Sequence, residues 1–469
     1  MTMNTMPLWQ RSVSDLSRLL DTGKVSPPDL LNTFLERYEA LNDKLNAFAV
    51  LDLNGARRSA NAAYERQRSG QRLGPLDGIP VSVKDNLFVG GLPAQWGSLL
   101  FRDHIPQHDD ICVERLRSAG AVIVGKSATA EFALSGRMET TAVGTTRNPW
   151  DPRLTAGGSS GGAVASVATG MTPIAIGTDA GGSIRMPASY TGLVGLRPSN
   201  GRIPRRYGFP PMVLDFQSIG LITRSVSDCS LLFQALQGPD MRDPVSVVTG
   251  PRQVPNRLLR IGWFDEVGGD RPDDEVRASL QHCLQGMATL GHLIEPCPPP
   301  YDIEQLRSIW DILSSVGAAR VARHHPDWQA SVTEPLGRII ERGMNRSVFD
   351  YAEAIDHLQS FRAQTSAQWG KFDVLVTPTA AAPAFPADQE YPETISGKPG
   401  SGAVQGMYCG WVNALGFSAI SVPGQPHPDG RPIGIQFVAR TGSDELLLQL
   451  GTSWERIAPW SERWPSMSA

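Results

Sequence analysis

Residues 157–187 read GGSSGGAVASVATGMTPIAIGTDAGGSIRMP. Two serines stand there among glycines: Ser159 in GGSSGG and Ser183 in DAGGSIR. Between them lie a small-residue stretch, Ala163 to Gly170, and a short apolar run, Pro173 to Ile176. Glycine lets a backbone turn sharply and approach another group closely. A serine in such a loop can be bare enough to attack, and the loop N–H groups can point at a developing negative charge. From Glu114 to Gly195 helical and strand patterns alternate, which argues for an α/β fold, a large β-sheet core with helices on both faces.

Upstream, Ile79-Pro-Val-Ser-Val-Lys84 alternates apolar and polar residues and reads as a strand, with Ser82 and Lys84 on one side. Glu114 to Ala119 reads as helix, and Ala121 to Val124 as a buried strand ending at Gly125-Lys126. The first 70 residues read as helices, the second of them capped by Ser26 with Pro27 and Pro28 just inside its start. Downstream, Gly201 to Ser218 is irregular and rich in Arg, Pro and aromatics, as expected of a loop over a pocket. Ser227 to Leu236 reads as helix and Pro239 to Asn256 as a linker. A second α/β unit follows: strand 260–264, helix 273–290 and strand 292–295. Helices are expected over 303–323 and 349–369, a strand over 374–376, and a loop from Thr379 to Gly402. The chain then reads as helix 404–415, strands 419–422 and 433–438, and helix 444–454.

A length of 469 residues would ordinarily suggest about three domains. The apolar segments are spread evenly, however, which favours one domain over 1–469. In that reading helices at about 12–70 pack on the core, and a less regular insert spans about 239–370. Hydrophobic residues are 41% and charged residues 19%, as in globular enzymes. A net charge of −4 gives no reason to expect nucleic acid. No run approaches the roughly 18 apolar residues of a membrane span. The opening MTMNTMPLWQRSV shows no leader-like apolar segment. The five cysteines are odd in number and form no CxxC pair, so neither a metal site nor a disulfide framework is expected. A reducing, cytoplasmic setting is the simpler expectation.

The chemistry starts from two exclusions. GGSSGG formally satisfies the G-x-S-x-G elbow, but an elbow needs a strand directly before it. Here RNPWDPRLTA precedes it, with two prolines. A phosphate loop would need a following Gly-Lys-Ser/Thr. An isolated GGS serine ordinarily serves a helix N-terminus. Two Gly-rich serine sites with an unusual lysine upstream point elsewhere. There are six lysines against 37 arginines, so a lysine inside an apolar run stands out. Serine is a weak nucleophile and needs a base, which a lysine can be only when neutral. Burial favours that state. Lys84 and Lys126 both suit the role by pattern.

The chain resembles the amidase signature family of serine hydrolases. The resemblance rests on GGSSGGAVASVATG, GTDAGGSIRMPAS and GLVGLRPSNGRIP, with GPLDGIPVSVKDN and LRSAGAVIVGKSATAEFA upstream and FDVLVTPT and GRPIGIQFVAR downstream. It spans about residues 12–456. It implies Lys84 as base, Ser159 as bridging serine after a cis peptide bond, and Ser183 as acyl-forming nucleophile. It further implies an oxyanion hole from the N–H groups of Ala180, Gly181, Gly182 and Ser183, and a carbonyl at Ala133 lining the site. Ser160 and Asp179 match supporting hydrogen-bonders, and Arg185 an ion-pair partner. No metal or cofactor is implied, and homodimers are frequent in the family.

The implied activity is hydrolysis of a C–N bond in small, partly apolar carboxamides or anilides, with carbamates as related substrates. The alternative is a glutamine-hydrolysing subunit of a transamidation complex. Such subunits usually carry RYG and then Ser-Leu-Asp-Gln, where this chain has RYGFPPMVLDFQS; the family's frequent Gly-Pro is here Gly220-Leu221. The loops 202–216 and 379–402 are expected to shape the pockets. Phe209, Pro210, Pro211, Met212 and Phe216 either line an apolar pocket or pack their loop down.

Overall fold

The computed structural model describes residues 6–468. Residues 1–5, part of the opening stretch read as lacking a leader, lie outside the described residues. Eleven strands share one sheet: β1 Phe48–Leu51, β2 Pro80–Lys84, β3 Val122–Ser127, β4 Ile174–Asp179, β5 Val194–Arg197, β6 Ser218–Thr223, β7 Arg260–Trp263, β8 Leu293–Pro296, β9 Val374–Pro378, β10 Ser418–Pro423 and β11 Gly434–Ala439. Their order is β1-β3-β2-β4-β6-β5-β10-β11-β9-β7-β8. β2 runs parallel to β3 and to β4, and β7 parallel to β8 and to β9; the other pairs are antiparallel. The α/β sheet expected from the alternation is therefore present, and it is the large mixed sheet that the family resemblance implies. Every residue of β2, β3 and β4 is buried, as strands covered on both faces require.

Most segments read from the sequence lie within a few residues of their elements. Four differ. The region 12–70 is not all helix: FAVL at 48–51 forms β1, antiparallel to β3 at one sheet edge. Its four residues, set between the helices Pro27–Leu45 and Leu53–Arg68, are too few to show a strand period. A helix at Glu334–Met344 arises where none was expected. The expected helix 404–415 is broken into Gly402–Gln405 and Gly410–Ala414, with the two glycines Gly406 and Gly410 beside the break. Finally, the stretch read as a linker, Pro239 to Asn256, holds a short helix at Pro244–Val248. Residues 239–370 as a whole carry β7, β8 and the helices Asp274–Thr289, Ile303–Ala322, Glu334–Met344 and Val348–Gln368.

What matters for the site is the end shared by β2 and β4. Register pairs Val83 with Ile176, so Lys84 closes its strand just where β4 runs on from Gly177 to Asp179. Gly177 makes room there, since a Cβ would lie 3.1 Å from Ser160 Oγ and 3.4 Å from Lys84 Cδ. The Gly161–Ala168 helix is buried along its whole length. Its small residues let it sit close to the sheet: a Cβ on Gly162 would come within 2.3 Å of Ala47 O and 2.4 Å of Ala128 N. The chain turns after β4 and enters the Arg185–Thr191 helix. Both serine loops thus open at the C-terminal ends of parallel strands, where α/β sheets leave a crevice. No helix among the described residues is long and apolar enough to cross a membrane.

Candidate active site

Lys84 is fully buried, and its ammonium group touches no carboxylate. Its Nζ donates to Ser159 Oγ at 2.8 Å, to Thr178 Oγ1 at 3.2 Å and to Thr178 O at 3.4 Å. Burial pulls its pKa down to about 7, opposed by the nearby negative charge of Asp179. Asn86 Nδ2 donates to Thr178 Oγ1 at 2.9 Å and so orients the threonine that meets the lysine. The other lysine that suits the pattern lies elsewhere. Lys126 is buried against Asp85, Nζ to Oδ1 3.3 Å, and lines no part of the cavity described below.

Ser159 follows a cis peptide bond from Gly158. Its carbonyl oxygen accepts from Thr129 Oγ1 at 2.9 Å and from Ala130 N at 3.2 Å, which fixes the loop from the other side. A Cβ on Gly158 would lie 2.2 Å from Ser135 O, so only glycine fits there. Ser160 is fully buried and reaches Thr178 O at 3.5 Å.

Asp179 shapes the second serine loop. It accepts from Gly182 N at 2.8 Å, Ile184 N at 3.1 Å, Asn413 Nδ2 at 2.9 Å and both Arg185 Nε and Nη2, at 3.0 and 2.8 Å. Burial alone would raise its pKa. The charge of Arg185, its hydrogen bonds, and Arg197 more than offset that and hold the carboxyl well below the usual range. Arg185 in turn donates to Gln436 Oε1 at 2.7 Å, Asn413 Oδ1 at 2.5 Å and Cys409 O at 3.3 Å. The turn around Ser183 is therefore wrapped on a saturated ionic core. One expectation changes here. Gly182 was expected among the oxyanion donors, but its N–H goes to Asp179; the turn needs it instead for its φ of +118°.

Ser159, Ser183, Ala180, Gly181, Gly182 and Ala133 all line one cavity of about 500 Å³. Asp179, Arg185 and Ser160 lie beneath its wall and not on it. The same cavity is lined by the apolar side chains of Met186, Met212, Leu306, Trp310 and Met407. Trp310, on the Ile303–Ala322 helix, covers the turn so closely that a Cβ on Gly181 would meet its ring at 2.8 Å. Of the five residues singled out in the 202–216 loop, only Met212 lines the cavity. Phe209 stacks on Trp96, with centroids 4.5 Å apart, and packs its loop down instead. The 379–402 loop contributes Phe385 and Glu390. Sequence reasoning did not reach Thr178, Asn86, Asn413 or Gln436. Thr178, Asn86 and Gln436 lie inside the quoted motifs, but their partners are set by the fold: Asn413 and Gln436 lie more than 220 residues from Arg185, which they hold.

The family model for amidases matches residues 29–448. An acylamidase of Rhodococcus erythropolis is 31% identical over 477 residues, covering 97% of each chain. The A subunit of a glutamyl-tRNA(Gln) amidotransferase from Desulforudis audaxviator is 31% identical over 488 residues, covering 96% of each. Among solved structures, a bacterial aryl acylamidase of the amidase signature family superposes with a TM-score of 0.88 at 25% identity, covering 99% of each chain. A 6-aminohexanoate cyclic dimer hydrolase in complex with its substrate superposes with a TM-score of 0.86 at 27% identity, covering 99% of this chain and all of the other. Sequence, sheet and neighbours agree, and the chain belongs to the amidase signature family.

Proposed function

We propose that the protein is a self-sufficient amidase that hydrolyses a C–N bond of small, partly apolar carboxamides, anilides or carbamates through an acyl-enzyme on Ser183. The observation that carries this is Lys84: fully buried, free of carboxylate contact, and 2.8 Å from the hydroxyl of a serine that shares a cavity with Ser183. A lysine with a pKa near 7 is part neutral at neutral pH and can act as a base. Neutral Lys84 takes the proton of Ser159, Ser159 takes that of Ser183, and Ser183 Oγ forms a bond to the substrate carbonyl carbon. The carbonyl electrons move onto oxygen, for which we assign the backbone N–H groups of Ala180, Gly181 and Ser183 as donors. Collapse breaks the C–N bond as Ser159 returns a proton to the leaving amine. Water, deprotonated by the same relay, then releases the acid. An oxyanion donor of this kind contributes about 3 kcal/mol.

The independent reading is preferred over a glutaminase that serves a larger complex because of how the cavity is lined. Its charged side chains, Arg307 and Glu390, are already paired with Glu304 and Arg338, and much of the rest of its lining is apolar. Glutamine carries two charges that would need free partners there. The 31% identity to an amidotransferase component keeps glutamine in the test. A homodimer is compatible with the proposal, which requires no second kind of polypeptide. Five unpaired cysteines accord with a cytoplasmic enzyme.

The test is a hydrolysis panel with an anilide, an aliphatic primary amide, an aryl carbamate and glutamine, with released amine or ammonia quantified. Turnover of anilide or carbamate, lost in Lys84→Ala and in Ser183→Ala, is expected. Full activity in Ser183→Ala sinks the mechanism, and turnover of glutamine alone replaces the function.

A further inference from the structure

Polar side chains near the Ser183 turn are nearly all spoken for. Asp179, Arg185, Asn413 and Gln436 are bound to one another. Gln405 on the cavity wall donates to Tyr190 Oη at 2.6 Å and to Ala382 O at 2.9 Å, and accepts from Ala382 N at 3.0 Å. Gln217 is different. It lines the cavity, yet its Nε2 is buried without an acceptor. Arg307 Nε shares that condition, but its guanidinium is paired with Glu304. A buried donor with no acceptor is costly, and sites that hold one discriminate strongly for a ligand that completes it.

Its place in the fold says which part of a ligand it meets. Ser218 pairs with Asp179 across β6 and β4. Gln217, one residue before Ser218, therefore stands across from Ala180, at the mouth of the oxyanion turn. Cross-strand neighbours are about 5 Å apart, and Gln217, Ala180 and Ser183 line the same cavity, so the carboxamide is on the wall next to the turn that carries Ser183. Gln217 also falls where glutamine-hydrolysing relatives are expected to have a different sequence, in the segment RYGFPPMVLDFQS.

We propose that Gln217 is a specificity-determining residue whose amide N–H donates to an oxygen one or two bonds from the scissile carbonyl, so that the enzyme prefers oxygen-substituted acyl groups, such as alkoxy- or aryloxy-acyl amides and carbamates, over their all-carbon counterparts. This rests on the amidase reading above for the position of the carbonyl. Gln217 takes no part in bond making; the reaction on Ser183 is unchanged by it.

The experiment uses a matched pair, phenoxyacetanilide and 3-phenylpropionanilide, which differ by an ether oxygen in place of a methylene. One neutral hydrogen bond predicts a kcat/KM ratio of about fivefold in favour of the ether for the wild type. In Gln217→Met the ratio falls to about one. In Gln217→Glu, where the carboxylate can only accept, it falls below one. A ratio that stays fivefold in both variants, or that never exceeds one in the wild type, overturns the inference; an equal loss on both substrates assigns Gln217 a purely structural role and overturns it too. The same pair is titrated by calorimetry against Ser183→Ala. If wild type hydrolyses neither anilide while Ser183→Ala still binds the ether several-fold more tightly, the proposed reaction fails and the recognition stands. Equal or absent binding there overturns the recognition.

Discussion

Two buried lysines in this chain have opposite physics, and the difference is measurable. Lys126 is ion-paired with Asp85 at 3.3 Å, so Lys126→Met leaves a buried carboxylate without its cation. Loss of one partner of such a pair costs about 3–5 kcal/mol, and a fall in the denaturant midpoint is expected. Lys84 has no such partner. Its folded pKa, about 7, lies below the unfolded value of 10.5, so the unfolded chain binds the extra proton and burial of Lys84 costs stability. That cost is fully present below pH 7 and fades as pH rises to 10.5, where the unfolded lysine also becomes neutral. At about 1.4 kcal/mol per pKa unit, less about 1 kcal/mol for each lost hydrogen bond, Lys84→Met should be more stable than wild type at pH 7 by about 2 kcal/mol. It should be inactive. A variant that is both dead and stabilised is the mark of a residue kept for chemistry, and urea melts at pH 7 and pH 10 check it: the gain shrinks at the higher pH. The same pKa sets the pH profile. In the proposed mechanism only neutral Lys84 acts as the base, so kcat/KM should rise about tenfold per pH unit on the acid side and level off above about 7. A profile flat from pH 5 to 8 contradicts the role.

Among the elements, the helix Ile303–Ala322 is the one that closes the site, because it carries Trp310 over the Gly181 turn. Its own position depends on glycines. A Cβ on Gly343 of the Glu334–Met344 helix would lie 1.9 Å from Ser315 O, and one on Gly317 would lie 2.0 Å from Met212 O. Those neighbours are backbone and cannot swing aside. Gly343→Ala should therefore push the helices apart, at about 1–3 kcal/mol, and move Trp310 off the turn. The expected readout is a lower Tm with a higher KM for anilides and a smaller change for a short aliphatic amide; equal KM changes for both contradict the wedge. This pair of helices also shows where sequence reading stops. β4 was legible because Ile174-Ala-Ile follows a small-residue run and ends in GTDAGG. The Glu334–Met344 helix was not, because only Leu336 and Ile340 mark its buried face and two glycines interrupt it, one of which, Gly343, is needed for contact with the Ile303–Ala322 helix. For the same reason Lys84, Ser159 and Ser183 could be assigned roles by motif, whereas the partners of Thr178, Asn413 and Gln436 could not be read there. Each of those three is an ordinary polar residue until the fold brings it to Lys84 or Arg185.

At the scale of the whole molecule the question is how far the insert 239–370 is a unit of its own, and we propose that the chain is one cooperative domain. β7 and β8 do not form a separate sheet; they extend the main one through β9, whose other neighbour is β11. Side chains cross the same boundary. Trp411 stacks on Tyr301 of the insert, with centroids 5.0 Å apart, and lies 6.2 Å from Trp369. Arg362 Nε donates to Ala414 O at 2.6 Å. Trp310 covers the turn that holds Ser183. If the insert opened alone it would expose Trp411 and strip the cavity of its apolar wall, so local opening would cost nearly as much as global unfolding. Urea unfolding followed by tryptophan fluorescence, far-ultraviolet circular dichroism and residual hydrolysis should then give one coincident transition. A second arm removes the covalent link: a single protease cut engineered in the 250–257 stretch, outside every helix and strand, should leave the two fragments co-eluting and active. Fluorescence changing at lower urea than the circular dichroism, or fragments that separate on a sizing column, would mean that the insert folds by itself and is docked on the catalytic half. In that event the wall carrying Trp310 would belong to a movable body, and specificity would be set by how it docks.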